Sequence, residues 1–241
     1  MANIENTIKP AYAALERHPD INLHKYPIAI SIQDDKLVLT GEVESIAAKR
    51  IAVHTVNKIV DQVVKGRPVL DRLKIVPGEH RGDEYIHDHL LRALTQEPAF
   101  QGYRIMVRRQ VADTEETARG YVDFAVIDSV VRYSGQVESL NHRRLAEIIA
   151  WWTPGCVDVD NRLHVTPAEQ DNDDEIADAI LMALSKDPWL DAGDLQVQVH
   201  HSEVVLGGVL PSKEQKRMAE YDAWYVPGVH AVNNRIEVRP Q

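Results

Sequence analysis

Hydrophobic positions in the last third of the chain follow two different periods, which predict both helices and strands. Apolar residues recur at helical spacing over 176–184, behind Asp173 as the predicted N-cap and before Pro188 as a stop. Over 195–199 they alternate with polar residues, and a second apolar run over 204–206 follows a short polar turn. The pattern predicts one helix followed by a β-hairpin.

A second helix and a last strand follow. Ser212 and Gln215 have the spacing of a capping box, and Pro227 with Gly228 would end the helix that begins there. Apolar residues over 232–238 predict a closing strand. The predicted order is α-β-β-α-β, so the fold class is α+β: a two-layer module whose small mixed sheet is covered by two helices.

The same pattern recurs along the chain. Residues 139–165 align without a gap on 212–238, and 12 of the 27 positions are identical, which is too many for two arbitrary helical segments. A weaker copy lies at the front, where LVLTGEVES at 37–45 aligns with VRYSGQVES at 131–139. The repeat predicts three tandem modules.

The predicted modules span 1–78, 79–168 and 169–241, with boundaries in polar stretches that contain Pro or Gly. The first module is divergent, and its second helix is expected to be about one turn longer than the others. The second module carries an insertion near 101–118, which we interpret as a long loop or an extra strand.

Charge and composition exclude several classes of protein. The chain has 27 basic and 37 acidic residues, a net charge of −10, which is the wrong sign for a nucleic-acid binder. Counted by module, basic minus acidic residues give 11 − 9, 10 − 14 and 6 − 14, so only the first module is positive. No apolar stretch is long enough for a membrane span, and the N-terminus lacks signal-peptide features, so we expect a cytoplasmic protein.

Candidate catalytic and metal-binding residues are few. Cys156 is the sole cysteine and stands at an apolar position, so we expect a small buried side chain and not a nucleophile. His87 and His89 are two residues apart on a predicted helix and would point to different faces, so no metal site is predicted. Three serines precede predicted second helices and are interpreted as N-caps: Ser45, Ser139 and Ser212. We predict no catalytic site and no cofactor.

Aromatic residues repeat at the end of the second helix, where Trp151 aligns with Trp224 and Trp152 with Tyr225. Because neighbours on a helix cannot both face inward, we expect Trp151 and Trp224 to be buried and their neighbours exposed. The exposed members, Trp152 and Tyr225, could then act as anchors at a bilayer interface.

These motifs resemble the BON domain, the bacterial osmotically inducible and nodulation domain. The resemblance rests on Gly135 and Val137 before the second helix, on PGC at 154–156 and PGV at 227–229, and on the final segments VDNRLHV and VNNRIEV. The first module departs from the pattern, because KGRPVLDRLKI at 65–75 has no Asn. The chain is similar to osmotically inducible proteins that carry tandem BON domains and no signal peptide.

The resemblance implies a non-enzymatic binding protein of osmotic or envelope stress that docks on a phospholipid surface or an envelope-associated protein. Two alternatives remain open at this point. One is a cytoplasmic K⁺ sensor, since a BON-containing protein of related type binds potassium. The other is an interaction scaffold, with packing between its modules or between copies of the chain.

Candidate contacts for an anionic phospholipid surface follow from charge and aromaticity, since such surfaces attract clustered Lys and Arg. The lysines of the positive first module are Lys9, Lys25, Lys36, Lys49, Lys58 and Lys65. The aromatic candidates are Trp152 and Tyr225.

Overall fold

The computed structural model describes residues 4–34, 36–64, 69–107 and 119–239. It confirms a mixed α+β fold, in which helices and short strands alternate along the chain. The chain divides into two compact units, residues 1–76 and 77–241. No helix of the described residues is long and apolar enough to cross a membrane.

The first unit has the element order helix, strand, strand, helix, strand. Its elements are α1 (Ile8–Arg17), β1 (Ile28–Gln33), β2 (Lys36–Val43), α2 (Ile46–Val63) and β3 (Leu70–Ile75). The central strand β2 pairs antiparallel with β1 and parallel with β3. Helix α2 has 18 residues, against 13 in the corresponding helices of the second unit, which agrees with the expected extra turn.

The first half of the second unit has the same order with one strand added. Its elements are α3 (Asp83–Gln96), β4 (Tyr103–Val107), β5 (Gly120–Ile127), β6 (Val130–Val137), α4 (Leu140–Trp152) and β7 (Asp158–Val165). These strands form one sheet in the order β4-β5-β6-β7. Strand β4 pairs parallel with β5 and is the extra strand of the predicted insertion, of which residues 108–118 lie outside the described part of the chain.

The second half of this unit differs at its last strand. Its elements are α5 (Asp173–Lys186), β8 (Gln196–His200), β9 (Glu203–Gly207), β10 (Val209–Leu210), α6 (Lys213–Tyr225), β11 (Ala231–Asn234) and β12 (Glu237–Val238). The predicted single strand over 232–238 is thus two short strands, β11 on β9 and β12 on β10. The break in the partner strand falls at Gly208, whose φ of 113° interrupts the regular ladder.

One glycine in each central strand explains the Gly-x-Val motif. Gly41 and Gly135 lie at φ 131° and 139°, a region that side chains rarely adopt. A Cβ at either position would clash with a backbone carbonyl of the adjacent strand, that of Pro27 or that of Tyr121. Gly208 has the same constraint against the carbonyl of Asp194. The glycine therefore lets the neighbouring backbone approach closely.

The predicted N-caps are confirmed, but the capping box is not. Ser45, Ser139 and Ser212 each accept a hydrogen bond from the backbone N–H three residues later, at 3.1 to 3.2 Å. Gln215 does not return the bond to the backbone of Ser212, because its amide donates to the carbonyl of Trp189 at 2.7 Å. The side chain therefore ties the start of α6 to the loop after α5.

Asp173 is not the N-cap of α5, because Asn172 takes that place with its Oδ1 on the backbone N–H of Glu175. Asp173 instead accepts two backbone N–H groups of the hairpin turn at 201–202, at 2.7 and 2.9 Å, and these donors lower its pKa. Asp83 holds the turn at 128–129 in the same way. Both turns have φ between 50° and 63°, as in type I′ hairpins.

Helices α4 and α6 each bury two alanines that are four residues apart. Ala219 and Ala223 of α6 are fully buried, and so are their counterparts Ala146 and Ala150 of α4. A small side chain at these positions lets the helix lie close to the sheet, and Tyr133 of β6 uses that proximity to donate its hydroxyl to the carbonyl of Ala146 at 2.8 Å.

We predict that Ala219→Leu lowers the free energy of unfolding by about 1 to 3 kcal/mol, because the larger side chain overpacks the contact between α6 and the sheet. Urea denaturation followed by circular dichroism measures the change. Arg217→Leu, at an exposed position of the same helix, is the control and should leave the unfolding curve nearly unchanged. Equal effects of the two substitutions would contradict the packing described here.

Candidate binding surface

The sheet of the first unit has one face against helix α2. The side chains of the other face, which we call the open face, are exposed or half-buried except that of Val38, which is fully buried. Leu37, Leu39 and Leu73 are buried on the helix side. The alternate positions of β2 and β3 lie on the open face, because successive side chains of a strand point to opposite sides. In β2 these are Lys36, Val38, Thr40 and Glu42, and in β3 they are Leu70, Arg72 and Lys74.

This open face carries three cations and one acid. Lys36 and Arg72 are exposed, Lys74 is half-buried, and Glu42 lies opposite Lys74 in the β2–β3 ladder. The guanidinium Nη1 of Arg72 donates to Gln33 Oε1 at 3.0 Å, and Gln33 faces Lys36 across the hairpin. We call Lys36, Arg72 and Lys74 the basic sheet face.

The corresponding face of the second unit is mixed in charge. Arg132 and Arg162 are exposed there, but Arg162 makes a bidentate pair with Asp160 at 3.0 and 2.6 Å. Asp123 lies on the same face and contacts Ser134 at 3.5 Å. The acids on this face therefore offset the arginines locally.

The lysines predicted from sequence do not form one cluster. Lys9 and Lys58 are exposed on helices, and Lys25 is exposed in the loop before β1, with its ammonium 4.8 Å from the centre of the Tyr26 ring. Lys25 and Lys36 lie at opposite ends of β1, which is about 17 Å long at roughly 3.3 Å per residue. Lys65 lies outside the described residues.

Lys49 was expected on the surface, but the structure places its side chain in the interior. Only 5% of the residue is exposed, its ammonium pairs with Asp71 Oδ2 at 2.8 Å, and it donates to the carbonyl of Leu73. It therefore joins α2 to β3 and cannot contact a surface.

The ion pair between Lys49 and Asp71 takes the place of the Asn contact that the first unit lacks. In the second unit, Asn161 donates to the carbonyl of Arg143 at 2.9 Å, and Asn234 donates to that of Lys216 at 2.8 Å. Each Asn also accepts the backbone N–H two residues later, at 3.2 Å. Asp71 accepts the equivalent N–H at 2.9 Å but has no amide donor, so Lys49 supplies the link to the helix.

Trp152 and Tyr225 are also corrections. Trp151 and Trp224 are buried as expected, but Trp152 and Tyr225 are half-buried and turn toward the other half of the unit. The indole N–H of Trp152 donates to Asp222 Oδ1 of α6 at 3.1 Å. The ring of Tyr225 stacks on Trp151, with centroids 6.5 Å apart. The expected exposure of these two side chains was therefore wrong.

These aromatic contacts belong to a larger junction between α4 and the pair α5 and α6. Arg144 of α4 is buried, forms an ion pair with Asp171, and donates to the carbonyl of Glu175 at 3.2 Å. Lys186 at the end of α5 pairs with Glu97 after α3 at 2.7 Å. We call the contact formed by Trp151, Trp152, Asp187, Asp222 and Tyr225 the α4–α6 joint.

Asp222 is the unusual group of this joint. The residue is 3% exposed, and its Oδ2 has no hydrogen-bond donor among the described residues. Burial is the main cause that raises the pKa of Asp222, to about 8; the nearby carboxyl of Asp187 also raises it, whereas the indole N–H of Trp152 lowers it. Burial likewise raises the pKa of Tyr225 to about 12.

Cys156 is buried, and its thiol donates to the carbonyl of Asp158 at 3.4 Å. Desolvation raises the pKa of Cys156 to about 12, so the thiolate needed for nucleophilic attack is disfavoured. Within the described residues, no group of three His, Cys, Asp or Glu side chains could hold a metal ion.

Sequence reasoning missed Arg72, Lys74 and Asp222. Arg72 and Lys74 lie at alternate positions of a predicted strand. Once one face of that strand is assigned to the core, the alternation of side chains places both cations on the opposite face. Asp222 aligns with Ile149 and stands at a core position of its helix, where an acid is rarely buried without a partner. That mismatch could have identified it.

We predict that Lys49→Met destabilises the first unit by about 1 to 3 kcal/mol, because it leaves Asp71 and the carbonyl of Leu73 without their donor. Adding Asp71→Asn should recover part of the loss, since the amide can donate to the helix carbonyl as Asn161 does. Thermal unfolding of the full chain measures both. Lys58→Met on the same helix is the control, and an equal loss there would contradict the assigned role.

The sequence and fold of the chain were compared with those of known protein families and solved structures. The BON domain model matches residues 104–167 and 172–240, together more than half of the chain. No match to a curated protein was found.

Two solved structures of CdsD, a structural protein of the type III secretion system of Chlamydia trachomatis, are similar to the chain. The C-terminal domain is 15% identical with a TM-score of 0.25, covering 97% of both chains. The other is 14% identical with a TM-score of 0.26, covering 98% of this chain and 93% of that one. At these scores neither likeness supports a statement about function. The two matched copies, with their central-strand glycines and their Asn-linked last strands, show that the chain belongs to the BON domain family.

Proposed function

We propose that this BON-family protein is a non-enzymatic binding protein that docks on anionic phospholipid surfaces through the basic sheet face of its first unit. The observation that carries the proposal is the placement of Lys36, Arg72 and Lys74 on one open sheet face with a single acid, Glu42. No catalytic step is part of this function.

The first unit is also proposed to be a third, divergent BON copy. Its element order, its glycine at φ 131° in the central strand and its Ser45 cap support this assignment. The Lys49–Asp71 pair supports it too, because it links the last strand to the second helix at the position of the Asn contact in the matched copies. The three-module organisation and a role in osmotic or envelope stress remain proposals from the resemblance.

Local charge decides which part of the chain can approach an anionic membrane. The whole chain carries −10, so long-range attraction is absent. Only groups within a Debye length, about 8 Å at physiological salt, act strongly on headgroups. A sheet face presents its cations side by side, and each Lys or Arg near the surface contributes about 1 kcal/mol of attraction.

We predict that replacing Lys36, Arg72 and Lys74 by Gln weakens binding of the full chain to phosphatidylserine vesicles roughly a hundredfold, the equivalent of about 3 kcal/mol. Vesicle co-sedimentation at low and physiological salt measures it. Binding of the unmodified chain should fall as salt rises and should be absent on purely zwitterionic vesicles.

The matched control replaces Arg104, Arg132 and Arg162, three cations on the mixed open face of the second unit, by Gln. It removes the same charge and should leave most of the binding intact. Loss of binding in this control alone would move the surface to the second unit. Binding that is independent of salt would overturn electrostatic docking altogether.

A further inference from the structure

We propose that the α4–α6 joint responds to protons: Asp222 holds a proton while the two BON copies are joined, and loss of that proton loosens the contact between them. This inference goes beyond the lipid-docking function and does not depend on it. It rests on a group of the second unit, whereas the basic sheet face belongs to the first.

The geometry of the joint requires a neutral carboxyl. Asp222 is almost completely buried where α4, α5 and α6 meet, and it receives one hydrogen bond, from the indole of Trp152 at 3.1 Å. Its second oxygen has no hydrogen-bond partner among the described residues, and the carboxyl of Asp187 is near enough to raise its pKa. Two ionised carboxylates at this separation would repel each other in a medium of low polarity. A proton on Asp222 removes this repulsion.

The named neighbours of Asp222 do not neutralise its charge, because they are acidic, uncharged or already paired. Asp187 at the end of α5 already accepts the backbone N–H of Trp189 at 2.8 Å, and its neighbour Lys186 is paired with Glu97. From α6 itself, Tyr221 and Tyr225 are the titratable neighbours, and Asp222 is one cause of the raised pKa of Tyr225. From α4 the facing group is Trp152, which carries no charge.

The direction of the pH effect follows from proton binding. An unfolded Asp has a pKa near 3.8, whereas that of Asp222 in the joint is about 8. Between these values the folded chain keeps a proton that the unfolded chain releases, so stability falls as pH rises through this window. Above about pH 8 the folded chain loses the proton as well, and Asp222 is then a buried carboxylate in the joint.

Thermal unfolding of the full chain from pH 5.5 to 8.5 tests the proposal, with Asp222→Asn as the variant. The amide imitates the protonated carboxyl, so the variant should become more stable relative to the unmodified chain as pH rises. The expected gain is about 2 to 4 °C in melting temperature per pH unit. Asp178→Asn, at an exposed position of α5, is the control and should show a constant difference. A constant difference for Asp222→Asn as well would overturn the proposal.

A second readout does not depend on the variant being stable. The ¹⁵N-indole resonance of Trp152, assigned with Trp152→Phe, reports on its bond to Asp222. In the unmodified chain it should shift with a midpoint near pH 8, as its acceptor becomes charged and the joint loosens. An indole resonance that stays constant between pH 6 and pH 9 would show that Asp222 does not titrate in the joint.

Discussion

The bond between the last strand and the second helix is the contact that organises each copy. Asn161 and Asn234 use both ends of one amide, donating to a helix carbonyl and accepting a strand N–H two residues on. The side chain therefore fixes the helix against one face of the sheet. Because both helices of a copy then lie on that face, the opposite face of the small sheet stays open.

In the first unit an ion pair joins the last strand to the second helix. Asp71 keeps the strand half of the contact, and Lys49 crosses from α2 to complete the helix half. The lysine of this pair is buried while Asp71 is partly exposed, so the pair must repay mainly the desolvation of the ammonium, and the carbonyl of Leu73 supplies a further partner. The pairing also explains why a positive module contributes fewer surface cations than its sequence suggests. Those that remain exposed on β2 and β3 follow the alternation of the strands, which is why they gather on one face.

Much of this fold could be predicted from the order of apolar and polar residues, and the failures have local causes. The serine caps and the buried Trp151 and Trp224 followed from spacing, because helical periodicity fixes which side chains face the sheet. Trp152 and Tyr225 were wrongly expected to be exposed. Periodicity shows which helix face packs on its own sheet, but it does not show that the other copy covers the remaining face. Lys49 was misjudged because a charge count treats every lysine as solvated, whereas this lysine of α2 pairs with Asp71 of β3 in place of water.

The α4–α6 joint shows how two copies with the same fold differ at their contact. Asp222 stands where the other copy has Ile149, which is buried in its own helix as an ordinary apolar residue. An apolar side chain at 222 would leave the indole N–H of Trp152 without its acceptor, whereas the acid supplies one at the cost of needing a proton. The contact is therefore specific to this pairing of α4 with α6, since Ile149 has no group that could accept such a bond. Its strength depends on the protonation state of a single side chain, so the link between the copies can weaken at a pH where their separate cores, built from apolar contacts, do not change.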